Sequence, residues 1–341
     1  MSKPVKTILQ YTFFLGLGIV FVWLSVKNIK EEQWLQIKDA IRRARHWLIV
    51  PAFILLLLSH YSRALRWKIL MEPLGYRPSN FNTFAAVMIG YLVNAGVPRL
   101  GEVVKCTLLA KYENVRADRL VGTIVMERAV DIVSLASVFL ITLVFQGGII
   151  GEHVAAGFSD FFHDRSGETS VRKIVIVLAS IIGAITLLYV ILKKFGHIDA
   201  VARVREVLRG ILHGLNSIRL VKHKGLFLVH SLFIWILYLA STTLGVIALR
   251  ETAHLGIGGG LTTLAVGSVG MVLTPGGIGA YPLLVAKMMG WYGVDPDTIG
   301  NALGWLLWSV QTLIVLFGGV ICFALFSFFN KKKQQLENTT G

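Results

Sequence analysis

NAGVPRLGEVVKCTLLAKYENVRADRLVGTIVMERAVD, residues 94–131, sets ionisable groups inside an apolar chain, and the fold follows from how they are accommodated. Its tip, Val97-Pro98-Arg99-Leu100-Gly101-Glu102, lies between two apolar arms at roughly residues 83–97 and 103–109. Each arm is shorter than the ~20 residues that cross a bilayer, so the pair predicts a re-entrant hairpin. A long apolar span follows, about residues 120–145, with Glu127, Arg128 and Asp131 in its first half. Such charges cost ~2.5–3.5 kcal/mol each on insertion scales unless they face a partner or a water-filled cavity. The stretch therefore predicts a polar site buried in a membrane.

Composition agrees. The chain has 341 residues, of which 55% are hydrophobic and 16% charged, whereas soluble domains are ~25% charged. Mean hydropathy is +0.67. The expected class is an all-α polytopic membrane protein. The basic residues behind the net charge of +15 sit in short loops between apolar runs, which fits topology and anionic lipid and argues against nucleic acid. Cys106 and Cys322 lie in separate apolar stretches, so neither a disulfide framework nor a thiolate metal site is indicated.

Working outward, an apolar run at residues 8–26 follows Lys3 and Lys6 with no cleavage pattern after it, and reads as a first span. Residues 27–46 place Trp34, Ile37, Ile41, Ala44 and Leu48 at helical spacing opposite Lys38, Arg42 and Arg45, which fits an interfacial amphipathic helix or a plain loop. A second span at residues 48–65 ends in Arg63, Arg66, Trp67 and Lys68. After residue 145 come an acidic external loop (146–170), a span (174–192) and a basic loop (193–224) that the positive-inside rule places in the cytoplasm. Residues 225–249 form another span. Two short arms at 261–273 and 278–289 flank the breaker Thr274-Pro275-Gly276-Gly277, and a last span at 302–328 ends in Lys331, Lys332 and Lys333.

Span, hairpin, span therefore occurs twice, with opposite orientation. The expectation is an inverted-topology repeat of about six full spans and two opposed re-entrant hairpins, their tips meeting near the midplane, as in alternating-access transporters. The divisions are residues 1–47, 48–146 (repeat 1), 147–224, 225–330 (repeat 2) and 331–341. Both termini are expected in the cytoplasm, and the protein in the plasma (inner) membrane.

Each tip has helix breakers before a fresh half-helix, whose free N–H groups make an anion site. Pro98 and Arg99 supply the first, with Gly101 opening the arm and Lys105 about one and a half turns beyond Arg99; a guanidinium suits a phosphate. Arg99 beside Glu102 fits a structural ion pair equally well. In the second tip Pro275, Gly276, Gly277 and Gly279 allow close approach of a ligand to the backbone. Glu127 and Asp131 share a helical face, with Arg63 and Arg66 as candidate partners. That network either staples helices together or exchanges partners with a passing headgroup. Lys287 is either a site group or an interface snorkeller.

Arg63-x-x-Arg66-Trp67, Asn94-x-x-x-Pro98-Arg99-Leu100-Gly101-Glu102, Glu127-Arg128-x-x-Asp131 and Pro275-Gly276-Gly277-Ile278-Gly279, in this order, resemble the motifs of the lysylphosphatidylglycerol synthase transmembrane-region family. The resemblance implies a flippase-like protein that moves a lipid between leaflets, as in the flippase half of the multiple peptide resistance factor. In place of the carboxylate often found after the last motif the chain has Tyr281 and Pro282, and the soluble aminoacyl-transferring domain of the resistance factor is not expected after the last span, where residues 331–341 read as a cytoplasmic tail. The expected partner is therefore a membrane phospholipid or polyprenyl-phosphate lipid rather than lysylphosphatidylglycerol in particular. Intramembrane catalysis finds no zinc pair and no nucleophile elbow, so no catalytic residue, metal or cofactor is expected. A small-solute transporter shares the same architecture. The discriminating feature is a lateral opening toward lipid as against a closed aqueous vestibule.

Overall fold

The structure, a computed structural model, describes residues 16–27, 29–97, 99–113, 115–162 and 221–340. Their regular elements are helices: α1 (Gly16–Val26), α2 (Glu31–Arg43), α3 (Ile49–Met71), α4 (Asn80–Gly96), α5 (Leu100–Glu113), α6 (Ala117–Phe162), α7 (Lys224–Ala248), α8 (Gly256–Leu273), α9 (Ala280–Met289) and α10 (Asn301–Thr340). The protein is an all-α polytopic membrane protein, with five described helices long and apolar enough to cross a bilayer. The expected span at 174–192, nearly all of the basic loop at 193–224, the end of the acidic loop and Pro98 lie outside the described residues.

Three boundaries differ from expectation. The chain stays helical from Ala117 to Phe162, where a loop was expected from residue 146. No proline interrupts it, and Gly147-Gly148 alone does not end a helix that neighbours support. The last helix continues through the Lys-, Gln- and Glu-rich tail to Thr340, because these residues are good helix formers. The first arm of the second hairpin begins at Gly256 rather than 261, and with the 3₁₀ turn before it is long enough to cross. Its glycines are there for contact: a Cβ on Gly260 would sit 2.1 Å from Thr243 Oγ1, and one on Gly258 2.4 Å from Gln146 Nε2. In lipid, where apolar burial does not favour one helix surface over another, such close approach is what joins helices.

Inter-helix contacts pair the two halves reciprocally. The first helix of each half meets the other, α3 with α7; α4 packs on α10, and correspondingly α8 on α6. Ser241 Oγ donates to Ala52 O (2.8 Å) while Ser62 Oγ meets His230 Nδ1 (2.9 Å), so α3 and α7 run antiparallel. Phe81 against Phe329 and Gly319 against Leu92 make α4 and α10 antiparallel as well.

Both hairpins return to the end they start from. In the first, Glu113 Oε1 accepts from Ser79 N (3.0 Å) and Asn82 Nδ2 (2.6 Å), clasping the end of α5 to the start of α4. In the second, Thr262 Oγ1 and Tyr292 Oη lie 2.6 Å apart, and Tyr292 Oη donates to Gln146 Oε1 (3.2 Å). The two bases sit at opposite ends of the bundle. Lys68 reaches Asn80 and His223 faces Glu72 at the first, while Arg45 N donates to Ala248 O (2.7 Å) at the second.

Helix α2 buries Ile37 and Ala40 against Val285, Met288 and Leu303 and leaves Trp34 exposed. It is thus a helix, as one of the two readings held, but docked on the second hairpin's base. Gly300 and Gly304 pack within the chain, where a Cβ on each would lie 2.8 Å from Ala286 O and 2.5 Å from Pro282 O.

Candidate functional site

The arms of the first hairpin touch at two glycines. A Cβ on Gly101 would lie 1.8 Å from Gly90 O, so no other residue fits without parting the arms. Gly101 N donates to Asn94 Oδ1 (2.8 Å), a cap for the first turn of α5 supplied from seven residues upstream. This crossing brings Lys105 down beside α6 and α3.

There five charged side chains meet. Arg63 Nη1 donates to Glu127 Oε1 (3.2 Å) and Asp131 Oδ2 (2.5 Å). Arg66 Nη2 lies 2.7 Å from Asp131 Oδ1 and 3.5 Å from Glu127 Oε1, and Lys105 Nζ donates to Glu127 Oε2 (2.9 Å). Spacing explains the arrangement: residues 63 and 66 sit one turn apart on α3, and 127 and 131 one turn apart on α6, so two short rows face each other. Lys105 also rests 4.5 Å from the Trp67 ring centroid, and Trp67 Nε1 donates to Thr123 Oγ1 (2.8 Å). Arg66 is wholly buried, its guanidinium 5.9 Å from the Phe227 ring and its Nη1 3.4 Å from Ser231 Oγ.

From this core the charges continue outward. Arg128 binds Glu102 through Nε (2.8 Å) and Nη2 (2.5 Å), with side-chain exposures of 49% and 26%. Arg128 belongs to the outward row Val121, Val125, Arg128, Ile132 of α6, otherwise apolar and exposed, and exposed Leu100 and Val103 flank it on α5. A surface of that kind faces lipid. A cavity of about 10 Å³, lined by Arg63, Tyr91, Asn94, Gly101, Glu102, Lys105, Glu127 and Arg128, joins core and rim. It has room for about one water.

Arg99 stands at the tip, exposed, with φ 68°, a left-handed conformation that costs a non-glycine residue ~1–2 kcal/mol. Glu102 pairs with Arg128, not with Arg99. The second tip stays apart from the charges. A Cβ on Gly279 would meet Val22 N at 2.4 Å, one on Gly277 Met271 Sδ at 2.6 Å, and one on Gly276 Ala95 Cα at 3.7 Å. Gly279 and Gly277 therefore admit α1 and α8, and Gly276 lies in ordinary contact with Ala95 of the first hairpin. Pro275 is buried, Trp308 Nε1 donates to Gly276 O (2.8 Å), and buried Tyr281 accepts from Gln311 Nε2 (3.1 Å) at its hydroxyl. Lys287 is exposed.

Sequence reasoning named Trp67 in a motif without giving it a site role, and passed over Tyr91 and the clasp residue Glu113. Trp67 follows Arg66 directly and Tyr91 lies one turn before Asn94, so helical spacing from the charged residues was the available signal.

A bundle with reciprocally paired halves, two helical hairpins and a buried charge cluster opening on an apolar flank belongs to the polytopic α-helical membrane proteins. More narrowly, the chain belongs to the lysylphosphatidylglycerol synthase TM region family, whose profile matches residues 10–319. It is 29% identical to a UPF0104 membrane protein of Methanocaldococcus jannaschii over 45% of this chain and 42% of that relative, and so aligns with less than half of it. A UPF0104 membrane protein of Methanothermobacter thermautotrophicus is 24% identical over 78% of this chain and 82% of its own length. No solved structure matches significantly.

Proposed function

We propose that this protein moves a phosphate-bearing lipid between membrane leaflets, acting as a transporter and not as an enzyme. The observation that supports it best is the lateral continuity of the charges, from wholly buried Arg66 to half-exposed Arg128 on an apolar helix flank. A headgroup reaches such a site while its tails stay in the bilayer. A small-solute carrier would instead enclose its charges in an aqueous vestibule.

In this reading the two halves form an inverted repeat, each hairpin dipping in from its own side of the plasma membrane. The end that holds the first hairpin's base carries Lys68, Arg77, Lys111, Arg116, Arg119, Lys222 and Lys224 against Glu72, Glu113 and Asp118. The opposite end carries as many, in Lys27, Lys30, Lys38, Arg42, Arg43, Arg45 and Arg250, so the reading of the first end as cytoplasmic rests on the sequence: the basic loop 193–224 leads into α7, and Lys331, Lys332 and Lys333 follow the last apolar span. Arg99, at the tip, meets the phosphate first, aided by the N-terminus of α5. Reconstitution into liposomes with headgroup-labelled phospholipids tests this: leaflet accessibility should equilibrate faster with protein than without, and no acceleration for any phosphate-bearing lipid would overturn it.

A further inference from the structure

Two shortages at the buried cluster point to the same missing group. The first is charge. Among the described residues Arg63, Arg66 and Lys105 face only Glu127 and Asp131, while Arg128 and Glu102 satisfy each other, so the inner site holds three cations against two carboxylates. The second is hydrogen bonding. The Nε–H groups of Arg63 and Arg66 are buried and meet no acceptor among the described residues, although both side chains are more than nine-tenths buried. The oxygens of Glu127 and Asp131 are engaged by the Nη groups and Lys105 Nζ, and none of them lies within hydrogen-bond reach of either Nε–H. One added anionic oxygen group corrects both shortages.

We propose that the site selects a lipid whose headgroup carries one net negative charge on its phosphate, over zwitterionic and cationic headgroups; this rests on the lipid-moving reading above. A monoanionic headgroup brings the inner site to neutrality. A zwitterionic headgroup delivers its ammonium among cations whose carboxylates are taken, and an aminoacylated headgroup of net positive charge adds to the excess. Arg63, Lys105 and Arg128 all line the small cavity and are the groups that would hold the phosphate. Because that cavity admits only about one water, the headgroup enters when Glu102 releases Arg128, and the rim ion pair acts as a latch. Two substitutions then act in opposite directions. Lys105→Gln removes the excess charge and abolishes the preference. Glu102→Gln removes the latch, raises the positive charge and strengthens the preference.

The test is competitive lipid binding to the full chain in detergent, read by native mass spectrometry. The probes are equal amounts of phosphatidylglycerol, phosphatidylethanolamine and lysylphosphatidylglycerol, with glycerol 3-phosphate and inorganic phosphate as soluble competitors. Phosphatidylglycerol should be retained about tenfold over the other two lipids, the order expected of one desolvated charge pair. Lys105→Gln should equalise the three lipids, Glu102→Gln should widen the gap, and the exposed control Lys222→Gln should change nothing. Equal retention of the three lipids by the unmodified protein overturns the proposal, as does a preference that survives Lys105→Gln. Displacement of the lipid by millimolar glycerol 3-phosphate or inorganic phosphate also overturns it, by making the ligand a soluble anion. If Lys105→Gln does not fold, the rim variant Glu102→Gln decides alone, and a narrowed gap there sinks the idea. Selective binding without faster leaflet exchange in liposomes would refute the transport reading and leave the selectivity standing.

Discussion

The two hairpins are built on one plan and filled in opposite ways. In the first, the arms close through Gly90, Gly101 and the Asn94 cap, and α5 delivers Lys105 and Glu102 to partners on α3 and α6. In the second, the arms close through Gly267 and Gly270 against Tyr281, and its tip is packed by α1, Trp308 and Ala95 without an ion pair among the described residues. One hairpin carries charge to an apolar flank, and the other is held by close packing and neutral hydrogen bonds. A bilayer makes that division consequential. Shape packing is inexpensive there, whereas a buried charge is tolerated only with a partner, so charges sit where something binds or moves.

The comparison can be broken at its strongest point by removing a carboxylate. Asp131→Asn leaves Arg63 and Arg66 short of their shared partner and should cost about 3–5 kcal/mol, read as a large fall in Tm and in monodisperse yield. The matching change in the second hairpin, Lys287→Met at an exposed position, should stay within about 0.5 kcal/mol. Equal effects would erase the distinction.

Adding one methyl group tests closure in both hairpins. Gly101→Ala meets Gly90 O at 1.8 Å and Gly279→Ala meets Val22 N at 2.4 Å, so each should destabilise by about 1–3 kcal/mol, Gly101→Ala the more. Only the first should also reduce lipid binding, because only it moves Lys105. Loss of binding with Gly279→Ala would give the second tip a direct part in the site.

Arg99→Gly separates charge from conformation. Glycine relieves the left-handed strain, so Tm should hold or rise by the equivalent of about 1 kcal/mol, while leaflet exchange should fall about tenfold with loss of a charge-assisted phosphate contact. Normal exchange by the folded variant would remove Arg99 from the mechanism. The smallest effect is expected at the second tip, where Trp308→Phe forfeits the bond to Gly276 O for about 1 kcal/mol and leaves lipid selectivity unchanged.

Much of this was legible in the chain. Apolar runs gave the helical membrane class, the breakers at residues 97–101 and 274–277 marked both hairpins, and turn-spaced Arg63/Arg66 and Glu127/Asp131 announced two facing rows. Hairpin arm lengths were misjudged because glycines count as helix breakers in isolation. Gly258 and Gly260 are helical with α6 and α7 pressed against them, a contact that residue spacing does not encode. Likewise the sequence placed Arg99 next to Glu102, and the fold gave Glu102 to Arg128, 26 residues on, because α5 and α6 run antiparallel with those two side chains abreast.

By itself, then, the sequence determined which segments are apolar enough to enter lipid, where the chain must turn, and which charges need an answer inside the membrane. Only the tertiary structure decided which charge answers which. Pairing depends on helix rotation and register, and these are set by close glycine contacts and long-range hydrogen bonds between segments up to 276 residues apart, as in Asn301 Nδ2 donating to Ser25 O. It also decided that, among the described residues, three cations share two carboxylates, which the overall excess of Lys and Arg along the chain could not reveal, since net charge sums over positions that never meet.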